Sequence, residues 1–334
     1  MENHPFAKFV AILGRGKTKQ RHLTFEESRE AMEMLLAGKT EREQVGAFLM
    51  LLRLKEEAPS EIAGFAAGTR ATFDLPANLP DVDLDWSSYA GKRVQLPWYI
   101  LSVLALVGAG YKVFMHGTEG HTPGRVYTRE VLQHLGIPIA DSFEVAATHI
   151  NKSGFAFVPL EVLSPRLEKM INLRPILGLR SPVHSFTRIL NPFKAHAVMQ
   201  GIFHRGFMDI HAGAAQILNE ESLAVFRGDG GEIERRPNKP TQVWNTHGAD
   251  EPMVETWPSM LDDGHAPKDD VMDISRLAKV WDGSDEDAYG LAATTGTIAI
   301  ALRTMGKADS MDTAQTMADK IWQNRDKTRI PAVR

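Results

Sequence analysis

Three short stretches carry residue types whose spacing can do chemistry. Gly14-Arg15-Gly16-Lys17-Thr18 ends like a phosphate-cradling loop, but Ala11 stands where such a loop requires a glycine, five positions before Gly16. The following Lys19-Gln20-Arg21-His22 is a poor opening for the helix such a loop needs, so the stretch reads as a flexible basic arm. His204, Asp209 and His211 lie within eight residues, yet no H-E-x-x-H spacing occurs, and His204 and His211 need an unbroken helix to share a face. They read as ordinary polar residues of a helix. Gly228-Asp229-Gly-Gly-Glu232-Ile-Glu234 is acidic and turn-rich. Asp229, Glu232 and Glu234 can hold Mg²⁺, a hard ion that seeks carboxylate oxygen, or can form a solvated turn. Both readings stay open. Ser, His and Asp are otherwise too scattered to assemble a triad without a fold.

The 334 residues contain no cysteine, which excludes a disulfide scaffold, a Cys-ligated zinc site and thiol catalysis. Leu96 to Tyr111 is the longest apolar stretch. It is short for the roughly 20 residues of a spanning helix and contains Pro97, Gly108 and Gly110. No signal pattern opens the chain, and a soluble, cytoplasmic protein is expected. Net charge is −4, but the charges are segregated. Between Ser164 and Met208 stand Arg166, Lys169, Arg174, Arg180, Arg188, Lys194 and Arg205 against Glu168 alone. Lys8 to Arg21 is basic and includes Lys17, Lys19 and Arg21, whereas residues 249–271 are strongly acidic. Three basic clusters in a net-acidic chain, counting the C-terminal tail, point towards an anionic partner.

The first quarter predicts helices. Thr24 with Glu27 forms a capping box ahead of Ala31, Met34 and Leu35, with a stop at Gly38. Thr40 with Glu43 opens a second helix striped by Val45, Phe48, Leu49 and Leu52, and Pro59 opens a third. Leu75 to Asp85 reads as a linker. Beyond it, strands at 111–115, 154–159 and 223–226 alternate with helices at 129–135, 289–305 and 312–324, which predicts an α/β domain with a mostly parallel sheet.

These residues carry a family resemblance over nearly the whole chain. Gln44 to Lys55, Val113-Phe-Met-His116-Gly117, Leu173 through Pro192 and Gly306 to Ser310 together resemble anthranilate phosphoribosyltransferase, the TrpD family of glycosyltransferase family 3. The resemblance implies a small helical dimerisation domain, residues 1–75 plus about 165–185, on an α/β domain of residues 86–164 and 186–334. It also implies a pocket containing Ser88, His116, Gly117 and Arg174. The family grips phosphoribosyl pyrophosphate with a Gly-Thr-Gly-Gly-Asp loop whose bare amides wrap the pyrophosphate. Here Asp85-Trp-Ser-Ser-Tyr-Ala-Gly91-Lys92-Arg93 stands in its place. The family's Asn and Arg after His-Gly are Thr118 and Glu119, its Gly-Pro is Thr187-Arg188, and its Asp-Glu magnesium pair is Ile233-Glu234. With Leu96-Pro-Trp98, the pattern resembles the YbiB-type second TrpD-like family, whose members look like nucleic-acid-binding homodimers.

The sequence therefore predicts a homodimer that binds DNA or RNA through phosphates, without anthranilate phosphoribosyltransferase activity, cofactor or membrane partner. The expected contacts are Lys17, Lys19, Arg21, Lys92, Arg93, Arg166, Lys169, Arg174, Arg180, Arg188, Lys194 and Arg205, with Trp86 or Trp98 able to stack a base. The alternative is a phosphoribosyl or glycosyl transferase of altered substrate, using Mg²⁺ held by Asp229, Glu232 and Glu234. A third reading is a scaffold whose basic clusters are only solvated faces or pair with the acids of residues 249–271 in the partner subunit.

Overall fold

The computed structural model describes residues 2–16, 18–120 and 122–333. Lys17 lies outside the described residues. Four helices, α1 (Ala7–Gly14), α2 (Phe25–Leu36), α3 (Arg42–Lys55) and α4 (Pro59–Arg70), form the small N-terminal bundle. Thr24 and Glu27 make the expected reciprocal cap of α2. At α3 the expected Thr40 cap gives way to Gln44, whose Oε1 accepts the Glu41 amide at 3.1 Å. A helix leads up to the segment read as a flexible arm: Phe9 and Leu13 of α1 are buried, and Phe9 packs edge-on against Phe6. Phe6, Phe48, Phe65 and Phe186 continue the contact in series, tying α3 and α4 to residues far down the chain. Apolar residues at helical spacing bury one stripe of each helix, and that burial stabilises the bundle.

Among the described residues, seven strands make one sheet: β1 (Leu84–Ser88), β2 (Val113–Gly117), β3 (Phe155–Pro159), β4 (Ala197–Ile202), β5 (Ser222–Arg227), β6 (Thr241–Thr246) and β7 (Met253–Trp257). Their order is β3-β2-β1-β4-β5-β6-β7, with the first five parallel and the last two antiparallel. Neighbouring side chains point to opposite faces. Phe114 joins a core shared with the bundle, while Val113 and Met115 join a second core under the helix Ala288–Thr304. Four strands, β1, β4, β6 and β7, escaped the sequence reading. β1 starts inside the expected linker and β4 inside the basic run, because both are short and buried on both faces and so show no alternation. Among the described residues no helix is long and apolar enough to cross a membrane.

Parallel strands place their carboxyl ends, and the loops that follow, along one sheet edge. Residues 89–95, 118–127, 203–207 and 228–235 therefore meet there.

Candidate functional site

β1 pairs with β2 through Ser88 opposite Gly117, and the chain then turns at Gly91, whose φ of +69° favours glycine. A Cβ there would also meet the Tyr127 ring at 2.8 Å. The amides of Ala90 and Gly91 both donate to Glu232 Oε1 at 2.6 Å. The pair forms an anion cradle, and the chain's own carboxylate fills it. Lys92 is fully buried. Its Nζ donates to Glu234 Oε1 at 2.5 Å and to the Asp229 carboxylate. Glu234 Oε2 accepts the Tyr99 amide at 2.9 Å, at the start of helix α5 (Tyr99–Gly108). Gly228 makes the tight return possible, since a Cβ on it would lie 1.6 Å from the Glu232 carbonyl oxygen.

Burial alone pushes the Lys92 amine down, but Glu234 and Asp229 together hold it above its ordinary value, so it stays an ammonium. Burial pushes the Glu232 carboxyl up, with Arg188 and the two amides opposing it. These residues do not fit a divalent cation. Asp229 and Glu234 share an ammonium, Glu232 faces amides, and among the described residues no group of three or more His, Asp or Glu can hold a metal ion.

Ser88, His116 and Gly117 lie side by side at the ends of β1 and β2, and none of them is exposed. Ser88 Oγ lies 2.7 Å from Thr128 Oγ1. The His116 ring bridges Tyr89 Oη at 2.8 Å and Asp85 Oδ1 at 3.2 Å. Burial, and Asp85 second, push the Tyr89 phenol well above its ordinary value. Trp86 and Trp98 are 0% and 1% exposed, so neither can stack a base as the sequence suggested.

Cations ring this closed centre. Arg125, which the sequence reading missed, donates to the carbonyls of Ala90 at 2.8 Å and Gly91 at 3.1 Å. Arg188 donates to the Gly231 carbonyl at 3.1 Å from the other side. Arg180 reaches Thr122 Oγ1 at 2.7 Å, and burial followed by Arg125 and Arg174 depresses its pKa. Arg174 lines an open cleft of about 500 Å³ with Gly120 and Pro123. Past β4, Arg205, Arg227 and Arg236 line a second cleft of about 290 Å³. Phe203 is 52% exposed at this edge, with Arg227 5.7 Å over its ring. Two strand spacings, about 10 Å, separate the ends of β1 and β5, so the two clefts share one edge. Arg93 is exposed in the same edge loops.

The remaining expected contacts lie elsewhere or are engaged. Lys92 is sealed inside. Arg21 grips Glu27 with both terminal nitrogens. Arg166 and Lys169 line an apolar groove with Val45, and Lys194 precedes β4 at the opposite sheet edge. Lys19 is an exposed turn residue. Arg93, Arg166, Lys169, Arg180, Arg188, Lys194 and Arg205 form no ion pair within the chain with the acids of residues 249–271 among the described residues. Glu255 instead pairs with Arg303, and Asp269 with Arg276.

Residues 11–72 match the helical bundle domain of the glycosyl transferase family, and residues 100–323 match that family's a/b domain. The chain belongs to glycosyl transferase family 3. Within it the chain is TrpD-like. It is 30% identical over 224 residues to an anthranilate phosphoribosyltransferase of Desulfitobacterium hafniense, covering 66% of this chain and 65% of that protein. It is 26% identical over 243 residues to the protein YbiB of Escherichia coli, covering 71% and 75%. Anthranilate phosphoribosyltransferase from Thermus thermophilus shares the fold with a TM-score of 0.78 at 20% identity, over 96% of this chain and 94% of that one. The Saccharomyces cerevisiae enzyme in complex with PRPP and Mg superposes with a TM-score of 0.77 at 16% identity, over 96% and 94%.

Against that family-3 frame, the sequence reading found the acidic loop and Lys92 but assigned both outward roles. Lys92 and Glu234 are 142 positions apart, so nothing local announces their pairing. Arg125, Arg227 and Arg236 stand outside the dense basic run, and Phe203 inside it is one of four phenylalanines. The carboxyl ends of β2 and β5 are the signal that locates Arg125 and Arg227.

Proposed function

We propose that this family-3 chain binds nucleic acid through phosphate contacts along the carboxyl edge of its sheet, with weak sequence preference and without phosphoribosyl transfer. One observation carries the reading: arginines crowd the edge above a cradle whose own charges are already paired, so their surplus field faces outward. Arg180 stands in the repulsive field of Arg125 and Arg174, and an anion at the edge relieves that repulsion. Phosphate neutralisation releases counterions and needs no base-reading motif, while exposed Phe203 offers one stacking surface. The proposed active form is a homodimer. Its support is the apolar groove between α2–α3 and residues 166–177, where Ile176 is 80% exposed.

The names of the curated relatives favour a second reading, a phosphoribosyl or glycosyl transferase of altered substrate that uses Mg²⁺. The Lys92 and Glu232 pairings count against it. Two measurements on the same preparation separate them. Anisotropy titration of labelled DNA and RNA at low salt supports the first reading on saturable binding. Calorimetry with phosphoribosyl pyrophosphate and Mg²⁺ supports the second on tight binding, and no nucleic-acid binding at low salt defeats the first.

A further inference from the structure

We propose that Lys92 and Glu232 act as built-in counter-ions: the Lys92 ammonium sits where Asp229 and Glu234 would otherwise share a divalent cation, and the Glu232 carboxylate sits where the Ala90 and Gly91 amides would otherwise bind an external anion. The inference holds whether or not the arginine edge takes nucleic acid.

Two carboxyls converging on one point in a buried site need a cation between them to stay ionised, because burial and mutual repulsion favour the neutral acid. Lys92 Nζ supplies that cation from within the chain, 2.5 Å from Glu234 Oε1 and in contact with Asp229. Its position is fixed by its backbone, which exchanges two 2.8 Å hydrogen bonds with Val126. The anion half is equally constrained. Glu232 Oε1 takes both amides at 2.6 Å, and Arg188 favours its charged form from across the loop, against burial. Lys92 thus faces Asp229 and Glu234, and Arg188 faces Glu232, while Arg125 holds the cradle loop through the Ala90 and Gly91 carbonyls. A divalent cation or a pyrophosphate entering this centre must displace an internal ion of the same sign.

The site is therefore latent, and one substitution opens each half. In Lys92→Ala, Asp229 and Glu234 lose their ammonium and take up Mn²⁺ at least about tenfold more tightly than wild type, read by calorimetry and by a saturable rise in melting temperature. Lys92→Ala/Glu234→Gln loses that uptake. Glu232→Ala keeps the Lys92 ion pairs, so it tests the anion half whether or not Lys92→Ala folds. Inorganic pyrophosphate binds it at least about tenfold more tightly than wild type, with no requirement for Mg²⁺ because Lys92 remains in place. Wild-type melting temperature does not respond to Mg²⁺, Mn²⁺ or chelator. The proposal is overturned by saturable Mn²⁺ binding to wild type that Glu234→Gln abolishes. It is also overturned if pyrophosphate binds wild type and Glu232→Ala equally, or binds Glu232→Ala only with Mg²⁺.

Discussion

Removing Arg174 and Arg180 together should flatten the salt dependence of nucleic-acid binding without weakening the fold. Five arginines are exposed along the carboxyl edge or in its loops: Arg93, Arg174, Arg180, Arg205 and Arg227. Each phosphate contact on duplex DNA contributes roughly −0.9 to the slope of log affinity against log salt, so five give about −4.5. Raising salt from about 50 to about 200 mM then weakens wild type about 500-fold. Arg174→Ala/Arg180→Ala keeps three contacts and a slope of about −2.7, and the same step costs it about 40-fold. Fluorescence anisotropy across the salt series measures both slopes. Lys194→Ala is the control, because Lys194 precedes β4 at the opposite edge and should leave the slope unchanged. Arg180 is repelled by Arg125 and Arg174, so the double variant should keep the wild-type urea midpoint. An unchanged slope in the double variant refutes the reasoning, as does an equal effect of Lys194→Ala.

Lys92→Met should cost about 3 kcal/mol or more in urea denaturation, since it leaves Asp229 and Glu234 without their ammonium; a loss under about 1 kcal/mol would show that the pair is unimportant to the fold. Gly228→Ala should destabilise by about 3 kcal/mol, because its Cβ meets backbone that cannot swing aside, and circular dichroism against temperature checks this. His211 is buried with Nδ1 2.6 Å from Gln200 Oε1, and burial, then Arg188, hold its pKa down at about 3. A depressed pKa means the unfolded chain binds the extra proton first, so stability is full above about pH 6.5 and falls as pH drops towards about 3. Urea midpoints from neutral to acid pH should fall less steeply in His211→Gln. Ile176→Asp should shift the species seen by light scattering from dimer to monomer, and an unchanged dimer would place the interface elsewhere.

Local chemistry in the sequence was enough to place helices such as α2 and α4. Thr24 and Glu27 satisfy each other's backbone within four residues, and Pro59 presets the first turn of its helix, so neither depends on the rest of the fold. The alternation of strands and helices likewise gave the α/β class, and the order of short motifs gave the family. The site was a different matter. Its charges were visible as Lys92, Asp229, Glu232 and Glu234, but their meaning depends on which of them meet, and β1 and β5 bring them together from more than 130 positions apart. Composition shows that a lysine is cationic; only burial between two carboxylates turns it from a surface contact into an internal counter-ion. The same holds for the basic run, which is continuous in sequence but is divided by the sheet between its two edges and a groove of the bundle. Spacing along a chain fixes local geometry, whereas a field is the sum over all charges in space, and that sum exists only once the strands have packed.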